Sequence, residues 1–227
     1  MPETPDSRTA ILDAAERLFS MRGFAATTIK QIGAEADVNS ALLYYYFADK
    51  ETLYREVLGR LIAGLIAAGG KAFDEARSPE DAIRSLVRAQ SATLGSSPYA
   101  ARLIARELVD NEAAHATQLM SKLAADLFTR LCEMIREGQR AGIFRADLDP
   151  QFAAISTISQ MVYFHLARPA VGIILGHGAS GPPDAVARAF ASHAADFAMA
   201  ALTAPPGAPR RRAATTTATS TTRTTRK

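Results

Sequence analysis

Apolar positions recur at helical spacing along most of this 227-residue chain, and no stretch alternates with period two over a useful length. Ile11, Leu12, Ala15, Leu18 and Phe19 predict a first helix, capped by Asp6 or Ser7 and running to about Arg22. Gly23 supplies C-cap chemistry and Phe24 packs back. Asp49 caps a long helix striped by Leu53, Val57, Leu61, Leu65 and Ile66, which reaches about Gly69 and Gly70. Ser78, with Pro79 at the first helical position and acids behind it, opens another through Ile83, Leu86, Val87, Gln90 and Leu94. A short helix follows from Tyr99 to Val109. A long one runs from about Asn111 to Arg140, with Leu119, Leu123, Leu127, Leu131, Met134 and Ile135 as its stripe, and Gly142 stops it. Asp149-Pro150 opens a helix carrying Phe152, Ile155, Ile158, Met161, Val162 and Leu166. Pro182-Pro183 opens the last, with Val186, Phe190, Ala194, Phe197 and Ala201 along one side. With two short helices between the first and the long fourth, the expected fold is all-α with about nine helices and no solenoid repeat.

Those two short helices lie in Thr28–Lys50, TIKQIGAEADVNSALLYYYFADK. Thr28 and Gln31 have capping-box spacing. Ile29, Ile32, Gly33 and Ala36 form one apolar, partly small face. Asp37 tolerates the left-handed turn conformation, and Val38 plugs the angle between helices. Asn39 or Ser40 then caps a helix through Ala41, Leu42, Leu43, Tyr44, Tyr45, Tyr46 and Phe47. This order is the grammar of a helix-turn-helix, whose second helix enters a DNA major groove. Three consecutive tyrosines cannot share one core face, because neighbouring positions sit ~100° apart. At least one phenol points outward, where it suits a phosphate oxygen or a base edge. The plainer reading is a surface aromatic cluster that packs on a neighbouring domain.

From about Arg8 to Leu58 the chain resembles the DNA-binding domain of the TetR family of one-component bacterial repressors. The likeness runs through ILDAAERLF, then GF, TTIKQIGAEADV and LYYYFADKETLY. Asp37 stands where that family usually has glycine, and Gly33 where alanine is usual. The resemblance implies an N-terminal three-helix DNA-binding domain at 1–50 and a helical ligand-binding and dimerisation domain at 51–203. It implies phosphate contacts from Tyr44, Lys50 and Thr28, groove-facing positions at Ser40, Ala41, Leu42 and Tyr45, and a base or phosphate contact from Lys30. It also implies a homodimer whose last two helices pack against their twofold mates, on a palindromic operator. The residues fit that arrangement: Gln151 to Ala167 holds no Asp, Glu, Lys or Arg, as a helix covered on several sides requires. The competing reading makes them core helices of a monomer.

The resemblance also makes the fourth helix the link between the DNA-binding domain and the rest, and so the natural lever between the two halves. A small apolar or aromatic effector among the central helices, against Leu86, Leu103, Leu123, Leu127 and Phe164, is expected to tilt that lever and release DNA. Such coupling is typically ~1–3 kcal/mol and is reciprocal between the two ligands.

Charge adds one correction. The net +3 comes from 26 basic and 23 acidic residues, but Arg210, Arg211, Arg212, Arg223, Arg226 and Lys227 all lie in the Thr/Ala/Arg-rich tail 204–227. Without them the remainder is mildly acidic, so DNA binding must come from a few placed contacts. The tail is too polar to bury and is expected to be disordered, with a non-specific phosphate contact as the sharper alternative.

Cys132 alone excludes a disulfide framework, and no segment reads as a signal peptide or membrane span, so a cytoplasmic location is expected. His115, His165, His177 and His193 are scattered, and neither a metal nor a cofactor is implied. Arg102 and Arg106, with Glu107 and Asp110 nearby, read as ion pairs on a solvated face or as an Arg lining a cavity.

Gly176, Gly178 and Gly181 match G-x-G-x-x-G, but a dinucleotide fold needs a strand before them and a helix opening directly from the last glycine. A nucleotide-dependent enzyme and a ligand-blind architectural DNA-binding protein are therefore the rival classes.

Overall fold

The computed structural model describes residues 5–97 and 99–203. The expectations for the tail 204–227, and for the first four residues, lie outside them. The described residues form helices α1 (Pro5–Ala26), α2 (Ile29–Glu35), α3 (Ser40–Tyr46), α4 (Lys50–Asp74), α5 (Pro79–Ser96) and α6 (Ala100–Asp110). These are followed by α7 (Thr117–Leu123), a π-helical turn (Ala124–Phe128), α8 (Thr129–Arg140), α9 (Pro150–Leu166), α10 (Arg168–Ile174) and α11 (Asp184–Leu202). An isolated bridge between Phe144 and Thr203 is the only β pairing among the described residues.

The helix starts follow side-chain chemistry. Asp49, Ser78 and Asp149 each accept a backbone N–H in the first turn of α4, α5 and α9, with Pro79 and Pro150 in the positions where a missing N–H costs least. α1 carries non-helical dihedrals at Gly23 (φ 82°, ψ 169°), so its regular part stops where the glycine predicts. Buried Thr27 then donates its hydroxyl to the Gly23 carbonyl at 2.8 Å and closes the corner.

Two elements differ from the periodicity. The helix expected from Asn111 begins only at Thr117, because Glu112 (φ 50°) and Ala113 (φ 61°) adopt left-handed conformations that no α-helix accepts. The π turn then inserts extra backbone, which shifts the phase of the apolar stripe. Leu119 and Met120 therefore face a different core from Leu127 and Leu131. Counting 117–140 as one interrupted helix gives ten among the described residues, one more than expected. The addition is α10: Arg168-Pro169 reads as a break, yet the proline sits in the first turn of a new helix.

The interior falls into three apolar clusters. The first joins α1, α2, α3 and the start of α4 and takes in Leu103 and Ala116. The second lies among α4, α5, α8, α9 and the end of α11, and the third among α4, α5, α6, α9 and α11. α4 contributes Leu53, Tyr54, Val57 and Leu58 to the first, Phe73 to the second and Leu65 to the third, so one rigid rod spans the molecule. Buried Cys132 lies in the second cluster and burial pushes its thiol pKa up, which suits a packing side chain. No helix among the described residues is long and apolar enough to cross a membrane.

Candidate nucleic-acid interface

α2 and α3 are built as their sequence requires. Gln31 N–H donates to Thr28 Oγ1 at 3.2 Å, and Thr28 N–H donates to Gln31 Oε1 at 2.9 Å, a complete capping box. Asn39 Oδ1 accepts the Leu42 N–H at 2.9 Å and caps α3. Asp37 holds φ 54° in the turn, and Val38 N–H donates to the Gly33 carbonyl at 2.9 Å. A Cβ at Gly33 would lie 2.9 Å from the Val38 carbonyl oxygen and 3.1 Å from Leu43 Cδ1. The usual alanine cannot stand there in this geometry, so Gly33 permits the close crossing of the two helices. The two departures at 33 and 37 are thus features of a single turn.

The register of α3 decides which side chains are available. Leu43 and Phe47 are buried in the first cluster, while Leu42 and Tyr46 are half-buried. Ser40, Ala41, Tyr44 and Tyr45 share the opposite, exposed face, with the two tyrosines 57% and 68% exposed. Spacing of i, i+1, i+4 and i+5 is one side of a helix. Thr28 and Lys30, at the start of α2, are also exposed.

Lys50 differs from its expected place. Its Nζ donates to the carbonyls of Phe24 (2.9 Å) and Thr27 (3.0 Å) and sits 4.3 Å from the centroid of the Phe24 ring. It therefore ties the start of α4 to the end of α1. Carbonyl oxygens left over at a helix end attract an ammonium more steadily than solvent does.

The helices behind this face are joined to the rest by polar contacts that periodicity did not reveal. Arg106 of α6 donates to the Ser20 carbonyl (2.8 Å) and the Met21 carbonyl (3.0 Å) at the end of α1, and pairs with Asp110 at 2.8 Å. The ion pair expected on the solvated face of α6 is present as Arg106–Asp110, and the same Arg106 also caps α1. Glu107 is only 1% exposed; its carboxylate accepts from His115 N–H (2.7 Å) and Asn111 Nδ2 (2.9 Å). Asn111 also donates to the Tyr54 hydroxyl at 3.3 Å, and burial together with the Glu107 charge pushes that phenol's pKa up. About one turn earlier on α1, Glu16 accepts from Ser97 Oγ (2.5 Å) and pairs with Arg60 of α4 (2.5 Å). Arg spacing alone hinted at these links; the carbonyl partners lie more than 80 residues away.

The five side chains expected to meet an effector do not gather in one place. Leu86 and Leu127 pack together over Gly69, and Leu123 borders both regulatory clusters. Leu103 is buried in the DNA-side cluster, and Phe164 stacks on Phe190 at 4.2 Å. The helical stripe identified core residues but could not assign them to clusters. A cavity of about 450 Å³ opens elsewhere, between α5, the end of α9 and the start of α11, and none of the five lines it. Arg88, Ser91, Gly95, His165, Arg168 and Arg188 are among the residues that do. His165 and Arg168 interrupt an otherwise apolar run, a signal available in the sequence.

The glycines 176, 178 and 181 follow the helix α10 instead of a strand. A Cβ at Gly172 of α10 would collide with Gly178 and Gly181, so the glycines serve the packing of a turn.

Comparison with known proteins accords with this geometry. Residues 11–57 match the model for bacterial regulatory proteins of the tetR family, and residues 79–195 match a tetracyclin repressor-like C-terminal domain. The HTH-type transcriptional repressor NicS of Pseudomonas putida is 32% identical over 161 residues, covering 70% of this chain and 75% of NicS. The HTH-type transcriptional regulator RutR of Escherichia coli K12 is 37% identical over 147 residues, 63% of this chain and 66% of RutR. Among solved structures, the ketosteroid regulator KstR2 of Mycobacterium tuberculosis superposes with a TM-score of 0.73 at 20% identity, covering 89% of this chain and 98% of that one. The capped α2–α3 pair, its exposed aromatic face and the all-helical regulatory half agree with these matches: the chain is a helix-turn-helix transcriptional regulator of the TetR family.

Proposed function

We propose that the protein is a homodimeric repressor that holds a palindromic operator and leaves it when a small molecule occupies its regulatory domain. The observation that carries this reading is the exposed face of α3, where Ser40, Ala41, Tyr44 and Tyr45 stand clear of a core that holds Leu43 and Phe47. Tyr44 and Thr28 hold phosphates, Lys30 adds a charge beside them, and Tyr45, Ala41 and half-buried Leu42 offer apolar surface to thymine methyls. Lys50 acts chiefly through α2, by fixing the corner from which Thr28 reaches out.

The dimer is supported by apolar side chains left uncovered on two helices. Phe152, Ile155, Tyr163 and Leu166 of α9 and Phe197 of α11 are all exposed in the single chain. An apolar patch of this kind marks an interaction surface, and a twofold mate presents the same patch in return. Half-sites one turn apart then set the two α3 helices at about 34–36 Å. A regulator acting on bacterial DNA works in the cytoplasm.

A mobility shift with the DNA upstream of its own gene tests the reading. The expected result is a discrete complex that Tyr44→Phe weakens and that at least one member of a metabolite library dissolves. A complex that forms equally on any duplex and answers to no compound would instead support an architectural role.

A further inference from the structure

We infer that the cavity between α5, α9 and α11 takes a small amphipathic organic acid, its anionic head on Arg88 and Arg188 and its apolar body against Ala92, Ala187 and Ala191. A volume of about 450 Å³ lies within the range of small-molecule sites, which combine apolar walls with a few convergent polar groups. At its floor Ser91 Oγ and His165 Nε2 meet at 3.2 Å, and His165 is only 8% exposed. Burial and the nearby Arg168 push the imidazole pKa down, so His165 offers hydrogen bonds without a charge. Gly95 leaves it room: a Cβ there would stand 3.2 Å from His165 Cε1.

The charges around this floor are one-sided. Three guanidinium groups line the cavity, from Arg88, Arg168 and Arg188, against the single carboxylate of Asp184. Arg168 is already committed, donating to the Pro182 carbonyl at 2.9 Å and to Asp184 at 3.1 Å, which neutralises that carboxylate. Arg88 and Arg188 form no ion pair within 4 Å among the described residues, and Asp196, whose charge Arg88 also favours, is already paired with Arg84. Arg88 and Arg188 approach one cavity from two facing helices. Isolated surface arginines are ordinarily just solvated. Two exposed arginines that line one cavity with a buried Ser–His pair instead favour an anion and repel a cation, and a carboxylate or phosphate head suits their forked donors.

Position gives the occupant a consequence. Ser96 borders this cavity and the neighbouring one, which Glu16 also lines. The next residue, Ser97, donates to Glu16 of α1. Movement at the end of α5 is thus one residue from a joint with the DNA-binding helices. The binding site stands on the cavity alone, whereas its effect on DNA rests on the ligand-released reading above.

Calorimetry with benzoate, phenylacetate and octanoate, each set against its own amide, tests the site. At least one acid should bind more tightly than about 1 mM, with its amide about tenfold or more weaker. The double variant Arg88→Ala/Arg188→Ala should lose the acid by a similar factor while melting at the same temperature. No binding by any acid, equal binding of acid and amide, or affinity untouched by the double variant would each overturn the assignment. Anisotropy of labelled upstream DNA, read in parallel, separates the two claims. An acid that binds through Arg88 and Arg188 yet leaves DNA affinity unchanged upholds the site and removes the ligand-released reading.

Discussion

Asp37 and Gly33 trade the roles that a turn of this kind usually assigns, and their substitutions should move stability in opposite directions. Asp37→Gly relieves a left-handed aspartate at φ 54° and should stabilise the fold by ~0.5 kcal/mol once the entropy of glycine is deducted. Gly33→Ala sets a methyl 2.9 Å from the Val38 carbonyl oxygen and should cost ~1–3 kcal/mol. Urea midpoints of the two variants check both signs. On the exposed face, Tyr44→Phe removes the hydroxyl proposed to meet a phosphate and should weaken every DNA sequence alike by ~1 kcal/mol. Anisotropy on two unrelated duplexes reads that uniformity. His165 carries a pH signature. Its pKa in the folded chain lies below the usual 6.5, so between the two values the unfolded chain binds more protons. Stability therefore rises with pH through that window and is lost as acid takes the solution below about 6.5. His165→Gln should flatten this part of the profile, measured by denaturation at several pH values.

Helices were legible wherever caps and stripes agreed, as at Thr28, Asp49, Ser78 and Asp149. Failures came where a backbone feature has no local sequence code. The left-handed pair Glu112–Ala113 exists because buried Glu107 collects the His115 N–H from across the turn. The π turn at 124–128 lets one stripe serve two cores. The same limit applies to sites: α3 could be read because its role is local, whereas Arg106, Lys50 and the cavity depend on partners far along the chain. Arg106 gives the clearest test at this scale. Arg106→Ala leaves the Ser20 and Met21 carbonyls without their donor and should destabilise the protein by ~1 kcal/mol. Because it unties α1 from α6, it should also reduce the effect of an effector on DNA affinity. A variant that is destabilised but fully inducible would restrict Arg106 to capping.

At the scale of the molecule, a remainder with 20 basic and 23 acidic residues outside the tail cannot hold DNA by a broad positive field, so in the proposed dimer the placement of two α3 helices has to supply the affinity. On that proposal the dimer is part of the DNA site. Phe152→Asp, on the exposed apolar face of α9, should yield monomers by sedimentation and lose operator binding while the helical content persists. The central claim, that α3 reads sequence in a twofold assembly, is tested most directly by selecting bound duplexes from a random library with the wild-type protein and with Tyr45→Ala. The account predicts an inverted repeat for the wild type, with half-site centres about one helical turn apart, and a changed half-site for the variant. No enriched sequence, or the same half-site from both proteins, would contradict it.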